Sequence, residues 1–264
     1  MICKANAKIN SYLSIVGKRD DGYHDLESIF IPISVYDELD IEESDVDFIE
    51  GMDIPLEKNL IYKAILEFKK ETKCLKNFKV KICKNIPSFA GLGGGSSDAA
   101  FTLKALNEYM GRPLNFEALE KVALRLGSDV PFFLYNRPSF VEGRGEIIRS
   151  LKIKKVYGVI VFGGDKYSTK EMFGKIKKYS SKININCDDE QNVIKMLKND
   201  FEDCLPDDKV KNIKKRLIDA GCAGTLMTGS GSSVVGYCCD LETAERIYEQ
   251  VRTIFKKVFV FESI

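Results

Sequence analysis

The sequence contains a single histidine, His24, and none of its eight cysteines forms a C-x-x-C pair. A zinc site needs several histidine or cysteine ligands at short spacing, so this composition argues against one. Cysteines that are not paired in this way are typical of free thiols in a reducing compartment. We therefore expect a cytoplasmic protein without a zinc site.

Long apolar runs and an excess of charge of one sign are also missing. No stretch is long enough to span a bilayer, and residues 1–6 lack the apolar core of a secretory signal. The chain has 40 basic and 39 acidic residues, a formal net charge of +1. This balance gives no electrostatic footprint for nucleic acid or an anionic membrane. We expect neither as a partner, and monomer and homodimer both stay open.

Glycine, by contrast, is concentrated in residues 87–100, which read PSFAGLGGGSSDAA, with four glycines within five residues. Glycine has no Cβ, so such a loop lets backbone N–H groups approach an anion closely. A helix is predicted at residues 97–110, with Ser96 or Ser97 as its cap, and helix N-termini favour phosphate. A flexible surface loop capped by Ser96 or Asp98 is the alternative. The density of glycine favours a phosphate-binding loop.

The two commonest phosphate motifs do not fit this loop. A P-loop needs lysine and then serine or threonine directly after its last glycine, but Ser96 and Ser97 follow Gly95. The dinucleotide fingerprint G-x-G-x-x-G begins at Gly91 and Gly93 and would need a third glycine where Ser96 stands. The sequence therefore predicts a phosphate site of another kind.

Hydrophobic periodicity predicts a mixture of strands and helices. The predicted strands are residues 9–16, 26–35, 78–82, 156–162, 223–227, 234–238 and 258–261. The predicted helices are residues 59–70, 97–110, 116–126, 207–220 and 241–255. The C-terminal part reads α-β-β-α-β, close to a split β-α-β sandwich. Because the composition changes near residues 152–155, we expect two domains, 1–152 and 153–264.

Phosphoryl transfer needs a cation near the phosphates and a group that accepts or orients the hydroxyl proton. Lys8 on the first strand and Asp129 beyond a helix have the right chemistry. Each has a plain alternative, because Lys8 could be a surface lysine and Asp129 could cap the turn into Pro131. Tyr23 and His24 could stack on a base and read its edge, or form a turn in which Tyr23 packs on the sheet.

A second glycine–serine stretch, residues 229–233, lies between two predicted strands. Hairpin turns often have this composition. The alternative is a second glycine-rich loop that approaches the same ligand.

Segments along nearly the whole chain resemble, in order, the GHMP kinases, the galactose, homoserine, mevalonate and phosphomevalonate kinase group. Besides the glycine loop they are residues 7–10 (AKIN), 19–24 (RDDGYH), 59–61 (NLI), 127–133 (GSDVPFF), 143–146 (GRGE), 168–169 (ST), 199–202 (NDFE) and 229–231 (GSG). The resemblance implies an α+β, two-domain fold. Its N-terminal domain would be a ribosomal-S5-domain-2-like α/β domain, and its C-terminal domain a ferredoxin-like α/β sandwich.

The D-G-Y-H segment after A-K-I-N is typical of members that act on a cytidine-linked alcohol. The resemblance therefore implies phosphorylation, by ATP with Mg²⁺, of the 2-hydroxyl of 4-diphosphocytidyl-2-C-methyl-D-erythritol in non-mevalonate isoprenoid precursor biosynthesis. Alternatives are a mevalonate-type or homoserine-type acceptor, or a non-catalytic nucleotide-binding module. Tyr23 and His24 favour the cytidine compound, and the balanced charge argues against a nucleic-acid module.

The resemblance also implies roles for individual residues. Asp129 resembles the catalytic aspartate and Lys8 its partner. The implied substrate contacts are Asn10, Tyr23, His24, Thr169 and Phe173, with Phe173 as the second aromatic ring of a sandwich around the cytosine. The implied ATP contacts are Asn59, Lys84, Pro87, Ser88, Phe89, Ala90, Gly91, Leu92, Gly93, Gly94, Gly95, Ser96 and Ser97. No protein ligand of the metal is implied.

Some residues depart from the pattern of this group. Asn6 stands where proline is frequent, and residues 88–90 replace a more glycine-rich segment. Asp98 stands where asparagine is frequent. An additional negative charge near phosphates needs a cation, which fits magnesium. None of these departures affects Lys8 or Asp129.

Overall fold

The computed structural model describes residues 1–164 and 167–264. Its strands are β1 (Ile2–Lys18), β2 (His24–Ser44), β3 (Phe48–Glu50), β4 (Asn77–Cys83), β5 (Ser139–Gly143), β6 (Ile147–Ser150), β7 (Tyr157–Phe162), β8 (Lys198–Asn199), β9 (Gly224–Met227), β10 (Ser233–Cys238) and β11 (Val258–Glu262). Its helices are α1 (Leu60–Thr72), α2 (Gly94–Tyr109), α3 (Phe116–Leu126), α4 (Val130–Tyr135), α5 (Thr169–Gly174), α6 (Lys209–Asp219) and α7 (Leu241–Val251). Every predicted strand and helix is present, and the prediction missed the shorter elements.

The chain forms two compact units, and each is assembled from separate stretches of sequence. The first unit comprises Met1–Ala7, Tyr36–Ser88 and Gly93–Asn136. The second comprises Lys8–Val35, Phe89–Leu92 and Arg137–Ile264. These units follow contacts in space, whereas the boundary expected between residues 152 and 153 divides the sequence linearly. That boundary stays a prediction.

The first unit combines a small sheet with helices α1 to α4. Strand β4 pairs antiparallel with the second half of β2 and parallel with β3. Phe78, Val80 and Ile82 of β4 are buried, and the lysines between them are not, as the alternation predicts. Helix α2 packs against α1, α3 and α4. This packing surrounds α2, the helix that follows the glycine loop.

The second unit contains a sheet in the order β11-β7-β10-β9, in which every pair is antiparallel. Helices α6 and α7 pack on this sheet, so β7-α6-β9-β10-α7-β11 forms a split β-α-β sandwich. The ferredoxin-like prediction is therefore confirmed. In the same unit β1 pairs parallel with β8, and the first half of β2 pairs antiparallel with β5. Across residues 1–164 and 167–264, no helix is long and apolar enough to cross a membrane.

The start of α2 differs from the prediction. The helix begins at Gly94, and its N-cap is Gly93, which has a φ of 71°. Glycine adopts this left-handed conformation without a steric penalty, so the chain enters the helix three residues earlier than expected. Ser96 and Ser97 lie inside the helix, and the prediction that one of them caps it is wrong.

The segment after α3 forms a short helix that the sequence does not predict. Asn115 caps α3 by accepting a hydrogen bond from Ala118 N at 2.9 Å, and Gly127 ends that helix. The apolar run that follows is helix α4. Proline in its first turn is compatible with a helix because no intrahelical N–H bond is lost there.

Candidate active site

Lys8 lies on β1, in the second unit, and only 3% of the residue is exposed. The surface-lysine alternative is therefore wrong. A buried ammonium is costly unless it is hydrogen-bonded, and Lys8 Nζ donates to Asn10 Oδ1 at 2.6 Å. The ammonium also lies 4.5 Å from the centroid of the Phe30 ring. Residues two apart on a strand share a face, which explains why A-K-I-N brings Lys8 and Asn10 together.

Asn10 is completely buried and is held on three sides. Its backbone N–H donates to Thr228 Oγ1 at 2.9 Å, and its Nδ2 donates to Ser28 Oγ at 2.9 Å. The sequence indicates a role for Asn10 but none for Ser28 or Thr228. Thr228 directly precedes the second glycine stretch, which is the one signal that could have drawn attention to it.

The glycine loop and the second glycine stretch touch each other through their backbones. A Cβ on Gly91, whose φ is 77°, would lie 2.0 Å from Thr228 O, and a Cβ on Gly229 would lie 3.0 Å from Gly91 Cα. Leu92 O accepts a hydrogen bond from Lys8 N at 3.0 Å. Residues 229–231 form the turn between β9 and β10, as predicted. This turn and β1 therefore fix the position of the middle of the glycine loop.

The first turn of α2 has the features of an anion site. Its N-cap residue, Gly93, has no side chain that could accept a hydrogen bond from the first N–H groups. These groups carry the positive end of the helix dipole. The hydroxyl of Ser97 is buried and has no hydrogen-bond partner, which is expected where a ligand completes the site. Nearby, Phe89 is 70% exposed and has a φ of 56°.

A buried charge cluster lies beside this turn, in the first unit. Lys84 Nζ donates to Asp98 Oδ2 at 2.8 Å and also to a carboxylate oxygen of Asp37. Burial raises the pKa of Asp98 to about 7, with Lys84 opposing this effect and Asp37 adding to it. Burial disfavours the Lys84 charge, but Asp98 and Asp37 outweigh it and raise the pKa of Lys84. The cation that faces Asp98 is therefore Lys84.

The predicted aromatic contacts of the acceptor lie in the second unit. The rings of His24 and Phe173 are stacked, with centroids 4.9 Å apart and planes at 14°. Two rings that sandwich a base must be about 7 Å apart, twice the carbon contact distance. The His24 and Phe173 rings are closer than that and contact each other directly, so no base fits between them. Tyr23 is 53% exposed, and the Arg144 guanidinium lies 4.8 Å from its ring centroid. Burial and the charge of Lys18 lower the pKa of His24.

Three other predicted residues have defined local roles. Asp129 is the N-cap residue of α4, but its side chain makes no capping hydrogen bond, so the capping alternative is wrong. Asn59 caps α1 by accepting from Ile61 N at 2.9 Å. Thr169 Oγ1 lies 3.0 Å from Ser230 Oγ, in the second glycine turn. Asp129 and Asn59 belong to the first unit, and Thr169 to the second.

Comparison with known proteins agrees with these features. Residues 59–137 match the GHMP kinases N terminal domain, and residues 205–257 match the GHMP kinases C terminal. The fold and the glycine loop thus define a GHMP-type small-molecule kinase. A Clostridium tetani 4-diphosphocytidyl-2-C-methyl-D-erythritol kinase is 37% identical over 281 residues, covering 100% of both chains. A Bacteroides thetaiotaomicron kinase of the same name is 42% identical and covers 89% of this chain and 91% of the relative. The chain belongs to the 4-diphosphocytidyl-2-C-methyl-D-erythritol kinase family.

Solved structures agree with this assignment. A crystal structure of 4-(cytidine 5'-diphospho)-2C-methyl-D-erythritol kinase superposes with a TM-score of 0.86 at 29% identity, covering 100% of this chain and 99% of that chain. The mevalonate kinase of Methanococcus jannaschii has a TM-score of 0.68 at 16% identity, covering 100% of this chain and 98% of that chain. At that identity the second likeness concerns the fold alone.

Proposed function

We propose that this chain transfers the γ-phosphoryl group of ATP to the 2-hydroxyl of 4-diphosphocytidyl-2-C-methyl-D-erythritol, a step of non-mevalonate isoprenoid precursor biosynthesis. The observation that carries the mechanism is the placement of Lys8. Its ammonium is buried and oriented by Asn10 at 2.6 Å, while its backbone N–H is bonded to Leu92 of the glycine loop. One residue thus combines a fixed positive charge with direct contact to the phosphate-binding loop.

Phosphoryl transfer depends mainly on positioning and on electrostatic stabilisation. In our proposal the backbone of residues 91–97 binds the phosphates, with the first turn of α2 supplying N–H donors. Lys8 stabilises negative charge on the transferred group, and Asp129 accepts or orients the proton of the attacking hydroxyl. As the new O–P bond forms, the bond from the γ-phosphorus to the β-phosphate oxygen breaks and ADP leaves.

The acceptor contacts in this proposal are Asn10, Tyr23, His24, Thr169 and Phe173. Cytosine is flat, so it stacks on aromatic faces. The lowered pKa of His24 keeps its imidazole neutral at neutral pH. A neutral imidazole offers one donor and one acceptor, which suits it to read the edge of a base.

Asn59 and Lys84 are proposed to lie near the adenosine of ATP. Asn59 caps α1, and Lys84 stands two residues before Ile86, whose side chain would meet a Cβ on Gly94 at 2.9 Å. Lys84 is thus held beside the start of α2, where its Nζ would lie 3.4 Å from a Cβ on Gly94, and Asn59 is held at the start of α1. This placement supports a nucleotide-binding role beside their structural one.

Mg²⁺ enters this proposal as part of the substrate MgATP. Protein-bound Mg²⁺ usually keeps several waters and takes one or two carboxylates together with substrate phosphates. Within the described part of the chain, no group of three or more His, Cys, Asp or Glu residues is arranged to hold a metal. An ion held mainly by the ATP phosphates fits this residue set. We also propose a cytoplasmic location, because all eight cysteines are free thiols.

An ADP-release assay with three acceptors in parallel tests the proposal. We expect turnover with 4-diphosphocytidyl-2-C-methyl-D-erythritol and none with mevalonate or homoserine. Turnover of mevalonate without turnover of the cytidine compound would show that the acceptor is wrong. Asp129→Asn should lower the rate by about 10²- to 10⁴-fold, with the exposed Asp53→Asn as matched control. Unchanged turnover of Asp129→Asn would remove Asp129 from the chemistry.

A further inference from the structure

Ser28 is buried on β2 and is joined to Lys8 through Asn10. We propose that Ser28 is a positioning residue for phosphoryl transfer, because it fixes the Asn10 amide so that its oxygen faces the Lys8 ammonium. The inference rests on the proposed function, since it requires Lys8 to act on the phosphoryl group. It adds a residue that no sequence motif indicates.

The Ser28 hydroxyl donates its single proton to the backbone of Tyr12. Ser28 Oγ is within hydrogen-bond distance of the backbone oxygen of Tyr12. A carbonyl oxygen can only accept, so the single hydroxyl proton of Ser28 is used in this bond. On its other side Ser28 Oγ can therefore only accept. The side-chain atom of Asn10 that lies 2.9 Å from it must be the donor, Nδ2.

The contact between Asn10 and Lys8 independently gives the same orientation of the Asn10 amide. An ammonium can only donate, so the Asn10 atom 2.6 Å from Lys8 Nζ must be the oxygen Oδ1. Thr228 Oγ1 holds the Asn10 backbone N–H at 2.9 Å and lies 3.3 Å from the same Oδ1. The hydrogen-bond network therefore determines the orientation of the Asn10 amide.

Loss of the Ser28 hydroxyl would release this constraint. Asn10 Nδ2 would be left buried without its acceptor, and the amide would be held on its oxygen side only. The amide could then tilt toward another acceptor and displace the Lys8 ammonium that is bonded to its oxygen. Because Asn10 is also a proposed acceptor contact, this displacement should lower the rate of transfer and weaken acceptor binding, whereas ATP binding should not change.

The experiment compares kcat and KM for Ser28→Ala, Ser28→Thr and a matched control. Ser34→Ala is the control, because Ser34 lies on the same strand and its hydroxyl accepts from Glu262 N at 3.0 Å, outside this network. We expect Ser28→Ala to lose about ten-fold in kcat, or about 1.4 kcal/mol, with the KM for ATP within two-fold. Ser28→Thr keeps the hydroxyl and should recover most of kcat, and Ser34→Ala should keep wild-type kcat. A kcat within two-fold of wild type for Ser28→Ala overturns the inference.

A double-mutant cycle with Lys8→Ala separates this inference from the proposed function. If Ser28 acts through Lys8, Ser28→Ala should cause no further loss in the Lys8→Ala background. The same ten-fold loss in both backgrounds would show a general structural effect and overturn the inference alone. Unchanged turnover of Lys8→Ala would instead overturn the proposed role of Lys8. If Ser28→Ala does not fold, Ser28→Cys replaces it, and wild-type kcat in that variant overturns the inference.

Discussion

Asp98→Asn tests the buried cluster in which Asp98 and Asp37 share the ammonium of Lys84. When all three groups are ionised, the cluster has a net negative charge, because two carboxylates share one ammonium. In addition, Asp98 Oδ1 is buried without a hydrogen-bond partner. Burial, opposed by Lys84 and reinforced by Asp37, raises the pKa of Asp98 from 3.8 to about 7. Asparagine has the same shape and still accepts from Lys84, but it carries no charge.

The raised pKa sets the direction of the pH effect. Between pH 3.8 and about 7 the folded protein keeps a proton on Asp98 that the unfolded chain has lost. The stability from this group is therefore fully present below pH 3.8 and is lost as the pH rises through about 7. Because Asp98 ionises inside the folded protein as the pH rises, the free energy of unfolding should fall by about 3 kcal/mol between pH 5 and pH 8. The raised pKa of Lys84 changes stability only above 10.5, outside this window.

Thermal unfolding of wild type and Asp98→Asn across pH 5 to 8 measures this effect. The difference in Tm, variant minus wild type, should rise by roughly 5–10 °C over this range, because about 3 kcal/mol corresponds to a few degrees per kcal/mol in a chain of this size. Asp53→Asn, an exposed carboxylate in the same unit, is the control and should give a constant difference. Parallel Tm curves for wild type and Asp98→Asn would refute the reasoning.

Two further predictions concern the glycine loop and the acceptor contacts. Gly91→Ala should lose more than about 1 kcal/mol of stability, because its Cβ would lie 2.0 Å from Thr228 O at a φ of 77°. Thermal unfolding tests this against Gly174→Ala, which meets nothing within 4 Å; equal losses would contradict it. His24→Ala should raise the acceptor KM roughly three- to ten-fold by removing the ring stacked on Phe173. A change confined to the ATP KM in steady-state kinetics would contradict that assignment.

Local signals in the sequence predicted much of the fold. The alternation along β4, the Asn115 cap of α3 and the end of α3 at Gly127 depend on neighbouring residues only, and the structure contains all three. The start of α2 was missed because it depends on Gly93 adopting a positive φ. Serine is normally a stronger signal for a helix N-cap than glycine. Here the positive φ of Gly93 sets the start of the helix instead.

Contacts between distant segments could not be predicted from local patterns. Lys84, Asp37 and Asp98 are separated by 47 and 14 residues, and only the packed first unit brings them together. The sequence offered Lys8 as one lysine among many, and its burial separates it from the surface lysines. Residue type and spacing therefore predict the candidates, and burial excludes the surface-lysine alternative for Lys8.

Buried Lys8 and half-buried Lys84 have different roles in our proposal. The charge of Lys84 is balanced by two carboxylates, so it contributes little positive potential to a phosphate. Its cluster instead holds both ends of the loop, because Asp37 Oδ1 accepts from Asn85 N and Ile86 N at 2.6 and 2.8 Å and Asp98 lies just after the first turn of α2. Catalysis by electrostatic stabilisation requires donors that are in place before the reaction begins. Lys84 therefore helps to shape the proposed phosphate site, and the cation that we propose to act on the transferred group is Lys8.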